Sequence, residues 1–74
     1  MEKYIIKNNL PEDLHKGSWV YPNEKIAKLD FRKYIDDLSA KYPTKVVFRN
    51  KPLRGTIQVE IDGFFYYVEL YKER

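Results

Sequence analysis

Thr56-Ile57-Gln58-Val59-Glu60-Ile61, then Asp62-Gly63, then Phe64-Phe65-Tyr66-Tyr67-Val68-Glu69-Leu70-Tyr71 is the stretch that decides the fold. Two runs of β-forming residues flank an Asp-Gly pair. Both central residues of a type I′ turn need positive φ, and Asp-Gly supplies them at low cost. A two-residue turn fixes the register: Ile61 faces Phe64, Val59 faces Tyr66, and Ile57 faces Val68. Side chains alternate along a strand, so the register also assigns faces. Ile57, Val59, Ile61, Phe64, Tyr66, Val68 and Leu70 form one apolar and aromatic face, the expected core. The other face sets Glu60 beside Phe65, Gln58 beside Tyr67, Thr56 beside Glu69 and Arg54 beside Tyr71. Five of the twelve aromatics of the chain lie in the second strand.

Upstream, Lys45–Arg49 reads as a third strand, joined to Thr56–Ile61 by the turn-rich segment 50–55. Val46 and Phe48 are expected to join the core face. Phe31, Tyr34, Ile35, Leu38 and Tyr42 recur at the spacing of one helical face. They predict a helix over 30–42, capped by Asp30 and stopped by Pro43, which disfavours helical geometry in Tyr42. Asn23 is an alternative cap that would start the helix earlier. Residues 1–22 read as irregular, with a short strand at Tyr4-Ile5-Ile6, a single helical turn anchored by Leu10 and Leu14, and an extended Trp19-Val20-Tyr21. The expectation is one α+β domain over 1–74: a three-stranded antiparallel meander over 45–71 with one helix packed on one face, and the N-terminal strand added at one edge.

Size limits what can hold such a chain together. At 74 residues it is one domain. A domain this small buries only roughly 60% of its unfolded surface. It has no cysteine and one histidine, so neither disulfides nor a structural zinc site is expected. No apolar run approaches the ~20 residues needed to cross a bilayer. The N-terminus lacks secretory features, and a cytoplasmic location is the expectation. Net charge is +3, unevenly placed. Between Ser39 and Val59 stand Lys41, Lys45, Arg49, Lys51 and Arg54, with no acid. Such a segment is either a solvated strand edge, where lysine blocks unwanted pairing, or an anion-binding surface.

Enzymatic chemistry finds little support. His15 lies in a turn-rich segment next to Lys16-Gly17. Ser18 and Ser39 have no evident base partner. Asp36-Asp37 and Glu12-Asp13 are sequence neighbours, which diverge by ~100° on a helix. No glycine-rich phosphate loop is present. No catalytic residue, metal site or cofactor is expected.

The functional candidates are therefore on the second hairpin face: Phe65, Tyr67 and Tyr71, with Gln58, Glu60 and the basic Lys45, Arg49 and Arg54. Aromatics with basic neighbours on a sheet suit stacking on single-stranded nucleic acid. Aromatics and arginine are also enriched at protein–protein hot spots. Self-association into a homodimer is a further use, and the N-terminal third could instead fold over this face and cover it.

One motif names a partner. Gln58-Val59-Glu60-Ile61-Asp62-Gly63-Phe64-Phe65 fits Gln-x-x-Ile-x-x-Phe-Phe, which resembles the peptide by which proteins dock on DNA sliding clamps. The whole chain, small, cysteine-free and rich in Lys, Ile, Tyr, Asn and Glu, resembles phage host-takeover proteins, in particular the sliding-clamp inhibitors of staphylococcal phages. That resemblance implies a phage-encoded inhibitor of host DNA replication, acting as a dimer in the clamp channel. It implies docking roles only for Gln58, Ile61, Phe64 and Phe65. A clamp channel is basic, and the +3 charge departs from simple DNA mimicry. Local acids at Asp30, Asp36 and Asp37, and at Glu60, Asp62 and Glu69, would have to serve.

Overall fold

The computed structural model describes residues 2–11, 14 and 18–73. His15, Glu12-Asp13 and Lys16-Gly17 lie outside the described residues. The elements run β1 (Lys3–Asn8), β2 (Trp19–Tyr21), α1 (Glu24–Ser39), β3 (Thr44–Asn50), β4 (Leu53–Ile61) and β5 (Phe64–Glu73). They build one antiparallel sheet of order β2-β1-β5-β4-β3, with α1 packed against it.

The Asp62-Gly63 hairpin forms as its chemistry dictates. Asp62 has φ 51° and Gly63 φ 83°, and the register runs from Ile61↔Phe64 to Arg54↔Tyr71. The three-stranded expectation is corrected: the sheet has five strands. β1 is an interior strand, paired with β5 along its whole length and with β2 on its other side. Asn9 extends that seam. Its side-chain Oδ1 accepts from the Tyr67 amide at 2.7 Å, and its own amide donates to the Tyr67 carbonyl at 3.2 Å. The strands also outrun their expected bounds: β3 begins at Thr44, β5 runs to Glu73, and Leu53, Arg54 and Gly55 pair with β3 and leave only Lys51-Pro52 as the loop.

The helix starts earlier than 30 and ends before 42. Asn23 is extended (φ −145°, ψ 157°), and its Oδ1 accepts from the Ile26 amide at 2.9 Å. This satisfies one of the four amides a helix start leaves unpaired. The buried stripe is Ala27, Phe31, Tyr34 and Leu38. Tyr42 still packs against the core, half-buried, from beyond the last turn.

α1 lies across the sheet and touches all five strands, but it covers the β3 margin only in part. A helix with its side chains is about 10–12 Å across. Five strands at about 4.8 Å spacing span about 19 Å between outer axes. Ile6, Ile57, Val59, Val68 and Leu70, on the three central strands, are fully buried. Val46 and Phe48, on the β3 margin, are 39% and 43% exposed, so their expected place in the core is corrected. Phe64 is corrected for the same reason lengthwise. Sixteen helical residues reach about 24 Å, whereas the ten of β5 reach about 33 Å. The hairpin tip outruns the helix, and Phe64, on the stretch of β5 that β1 no longer flanks, is 67% exposed while its partner Ile61 stays buried.

At the opposite margin the Tyr21 hydroxyl donates to the Asp30 carboxylate. Burial first, then that hydrogen bond, push the Tyr21 phenol far above its ordinary range. Burial first, then the Asp30 charge, also raise Tyr34. The folded chain thus keeps protons that the unfolded chain releases near pH 10. Stability is intact below that pH and falls as pH rises above it. Urea midpoints should be flat between about pH 7 and 9 and drop above about pH 10. Tyr21→Phe should lower the neutral-pH midpoint and make the alkaline drop shallower. An unchanged alkaline slope would remove Tyr21 from the account.

Candidate functional site

The sheet face opposite α1 gathers all eight residues singled out from sequence. The pairings arrange them in cross-strand rows. One row runs Val20, Ile5, Tyr71, Arg54, Arg49. The next runs Lys7, Glu69, Thr56, Val47. The third sets Tyr67, Gln58 and Lys45 side by side. Phe65 and Glu60 close the hairpin end. Each row therefore joins an aromatic or apolar group to a polar or charged one.

The connecting segment does not lie over this face where it is described. Leu10 is buried in the core and Leu14 packs against it. Trp19 and Tyr21 share the helix side with Ile6 and Tyr4 through their register. Val20, Val47, Phe65 and Tyr67 stay 61%, 60%, 54% and 41% exposed. Ile5 is the exception at 9%, because Val20 and Tyr71 flank it in its row. The Lys7 ammonium lies 5.7 Å from the centre of the Tyr71 ring, within cation–π range, which holds that ring half-buried.

Four participants were not singled out from sequence. Val47 was readable: if Val46 and Phe48 point to the helix, Val47 points away. Ile5, Lys7 and Val20 join only because β1 pairs with β5, a contact between the two chain ends that no local pattern announces.

No family model, curated protein or solved structure matches the chain. Among the described residues no group of three or more His, Cys, Asp or Glu could hold a metal ion. No helix among them is long and apolar enough to cross a membrane. The concavities beside the face are shallow, one of them lined by Lys7, Asn9, Tyr67 and Glu69.

The clamp motif is divided between the two faces, as the hairpin register implies. Gln58 and Phe65 point to the open face, whereas Ile61 and Phe64 point to the helix side. Ile61 is 8% exposed and belongs to the core. The four residues cannot enter one groove together while the hairpin is intact.

Proposed function

We propose that the chain is a small non-enzymatic protein-binding module that docks through its open sheet face. One observation carries this reading: Phe65, Tyr67, Val47 and Val20 lie exposed on one regular sheet face, interleaved with charged and amide groups. Rigid aromatics on a sheet lose little entropy on docking, and the flanking charges set orientation. The partner is a bacterial DNA sliding clamp, which makes the chain a phage-type inhibitor of host DNA replication working in host cytoplasm. Support for that partner is the whole-chain resemblance together with Gln58 and Phe65, the two motif residues on the docking face. No cofactor takes part. A homodimer would double the face presented to a ring-shaped partner.

A second reading has its own observation. Arg49 and Arg54 are directly opposed across β3 and β4, and Lys45 stands two places along on the same face. Opposed like charges repel, and a phosphate chain passing Tyr71 and Tyr67 would relieve that repulsion. Under this reading the module binds single-stranded nucleic acid.

Titration against a purified sliding clamp from a Gram-positive bacterium, beside a mixed-sequence single-stranded oligonucleotide, separates them. Clamp binding that survives about 0.5 M salt is expected, with no oligonucleotide binding at that salt. Oligonucleotide binding at low salt, with none to the clamp, would hand the face to the second reading.

A further inference from the structure

The two edges of the sheet differ sharply. β2 is three residues long, whereas β3 is seven. In an antiparallel ladder alternate residues point their amide and carbonyl groups to opposite sides. The Glu60 amide donates to the Pro43 carbonyl at 3.0 Å. From there, Lys45, Val47 and Arg49 turn their backbone groups toward β4. Thr44, Val46 and Phe48 turn theirs outward, to the free edge. The same reasoning along β1 leaves β2 with only the Val20 groups outward. A long edge with consecutive unpaired groups is a template for another strand.

Proteins usually blunt such an edge with charge, and β3 carries charge of one sign on one face. Lys45 and Arg49 flank Val47 on the open face, with Arg54 behind Arg49. On the helix side Val46 and Phe48 remain half-exposed at the margin that α1 covers only in part. The Phe48 ring stands 6.2 Å from Phe31, so its inner edge touches the core and its outer edge meets solvent. Lys28, the helix cation at this margin, is already held by Asn50 at 3.0 Å and Glu24 at 3.4 Å.

We infer that the free edge of β3 is a docking strand for an extended partner segment in which acidic residues alternate with apolar ones. The partner's backbone would bond the outward groups of Thr44, Val46 and Phe48. Its acidic side chains would lie beside Lys45 and Arg49, and its apolar ones beside Val46 and Phe48. This is strand addition, in which the main chain supplies affinity and alternate side chains supply specificity. A second copy of the chain fits worse. The two-fold pairing centred on Val47 that overlaps the strands most fully sets each Lys45 opposite an Arg49, and opposed like charges destabilise. The edge shares Lys45 and Arg49 with the open face but needs none of that face's aromatics.

The probes are two capped heptapeptides, Glu-Val-Glu-Val-Glu-Val-Glu and its Lys-for-Glu counterpart, titrated into isotopically labelled full-length chain by NMR. The Glu peptide should shift the amides of Thr44, Val46 and Phe48 and slow their hydrogen exchange. The Lys peptide should bind at least about tenfold more weakly. Lys45→Glu/Arg49→Glu should invert that preference, which a structural role for the two side chains would not do. Tyr67→Glu should leave the edge response unchanged, so failure here and failure of the face reading are distinguishable. Equal response to both peptides, or loss of the response in Tyr67→Glu, would overturn the inference. So would shifts at these amides that follow protein concentration without peptide, which would make the occupant a second copy.

Discussion

Phe31→Ala should leave a chain that is largely unfolded at 37 °C. Phe31 is 2% exposed, the largest of the fully buried side chains, and reaches the sheet where Gly55 has no side chain. A Cβ at Gly55 would stand 2.7 Å from the Phe31 ring and 3.1 Å from Phe48. The ring has taken the space that any other residue at 55 would fill. Truncating a buried phenylalanine costs about 3–5 kcal/mol, because the cavity closes only in part. A domain of this length has roughly 4–11 kcal/mol in total, at about 0.05–0.15 per residue. No disulfide offsets the loss. The melting temperature should fall by on the order of 15–30 °C. Gly55→Ala attacks the same contact from the other side and should cost about 1–3 kcal/mol through overpacking. Leu29→Ala, at a helix position 58% exposed, should change stability by less than about 0.5 kcal/mol. Thermal melts of the three variants check the order. A Phe31→Ala protein that melts within a few degrees of the parent would mean that the contact between α1 and β4 is not what holds the two layers together.

What the sequence disclosed and what it hid follow from the range of each interaction. The Asp62-Gly63 turn is local, and its register was readable to Tyr71. The face assignment came with it for Arg54, Gln58, Glu60, Phe65, Tyr67 and Tyr71, whereas Lys45 and Arg49 were expected only to flank that face, and their register follows from the pairing of β3 with β4. Helix existence was readable from Phe31, Tyr34 and Leu38, but its start was not. Ile26 and Leu29 are apolar yet exposed, and Ala27 is buried yet small, so the first turn broke the expected pattern. β1 was hidden differently. Its partner is β5, about sixty residues away in sequence, and a short Tyr-Ile-Ile run does not say whether it takes an edge or an interior place. Phe64, Val46 and Phe48 failed for a third reason. Alternation tells which side a residue faces, but only the footprint of a single helix tells whether anything covers it. That third failure bears on the edge of β3, since the residues wrongly placed in the core are the ones left half-bare beside it.

Tyr67→Glu should weaken clamp binding by more than an order of magnitude while leaving the fold intact, and the contrast with Phe64→Ala decides how the partner is held. Tyr67 is 41% exposed, and Asn9 holds its backbone rather than its ring. The substitution therefore changes the face and keeps the seam between β1 and β5. Its cost to stability should stay within about 0.5–1 kcal/mol. A central aromatic at an interface is worth about 2 kcal/mol or more, so affinity should fall by roughly thirtyfold or beyond. Phe65→Ala should lose affinity in the same direction. Phe64 faces the helix side and is 67% exposed. A partner on the open face does not touch it, and Phe64→Ala should bind as the parent does. Docking as a released peptide predicts the reverse. There Gln58, Ile61, Phe64 and Phe65 enter one groove, which demands that the hairpin open and that Ile61 leave the core. Phe64→Ala would then abolish binding and Tyr67→Glu would leave it unchanged. Calorimetric titration of the three variants against one clamp, with melts run alongside, reads both patterns in one series. A face used for nucleic acid gives a third pattern: Lys45→Ala and Arg49→Ala each lower the salt slope by about one, and the clamp is not bound by any variant.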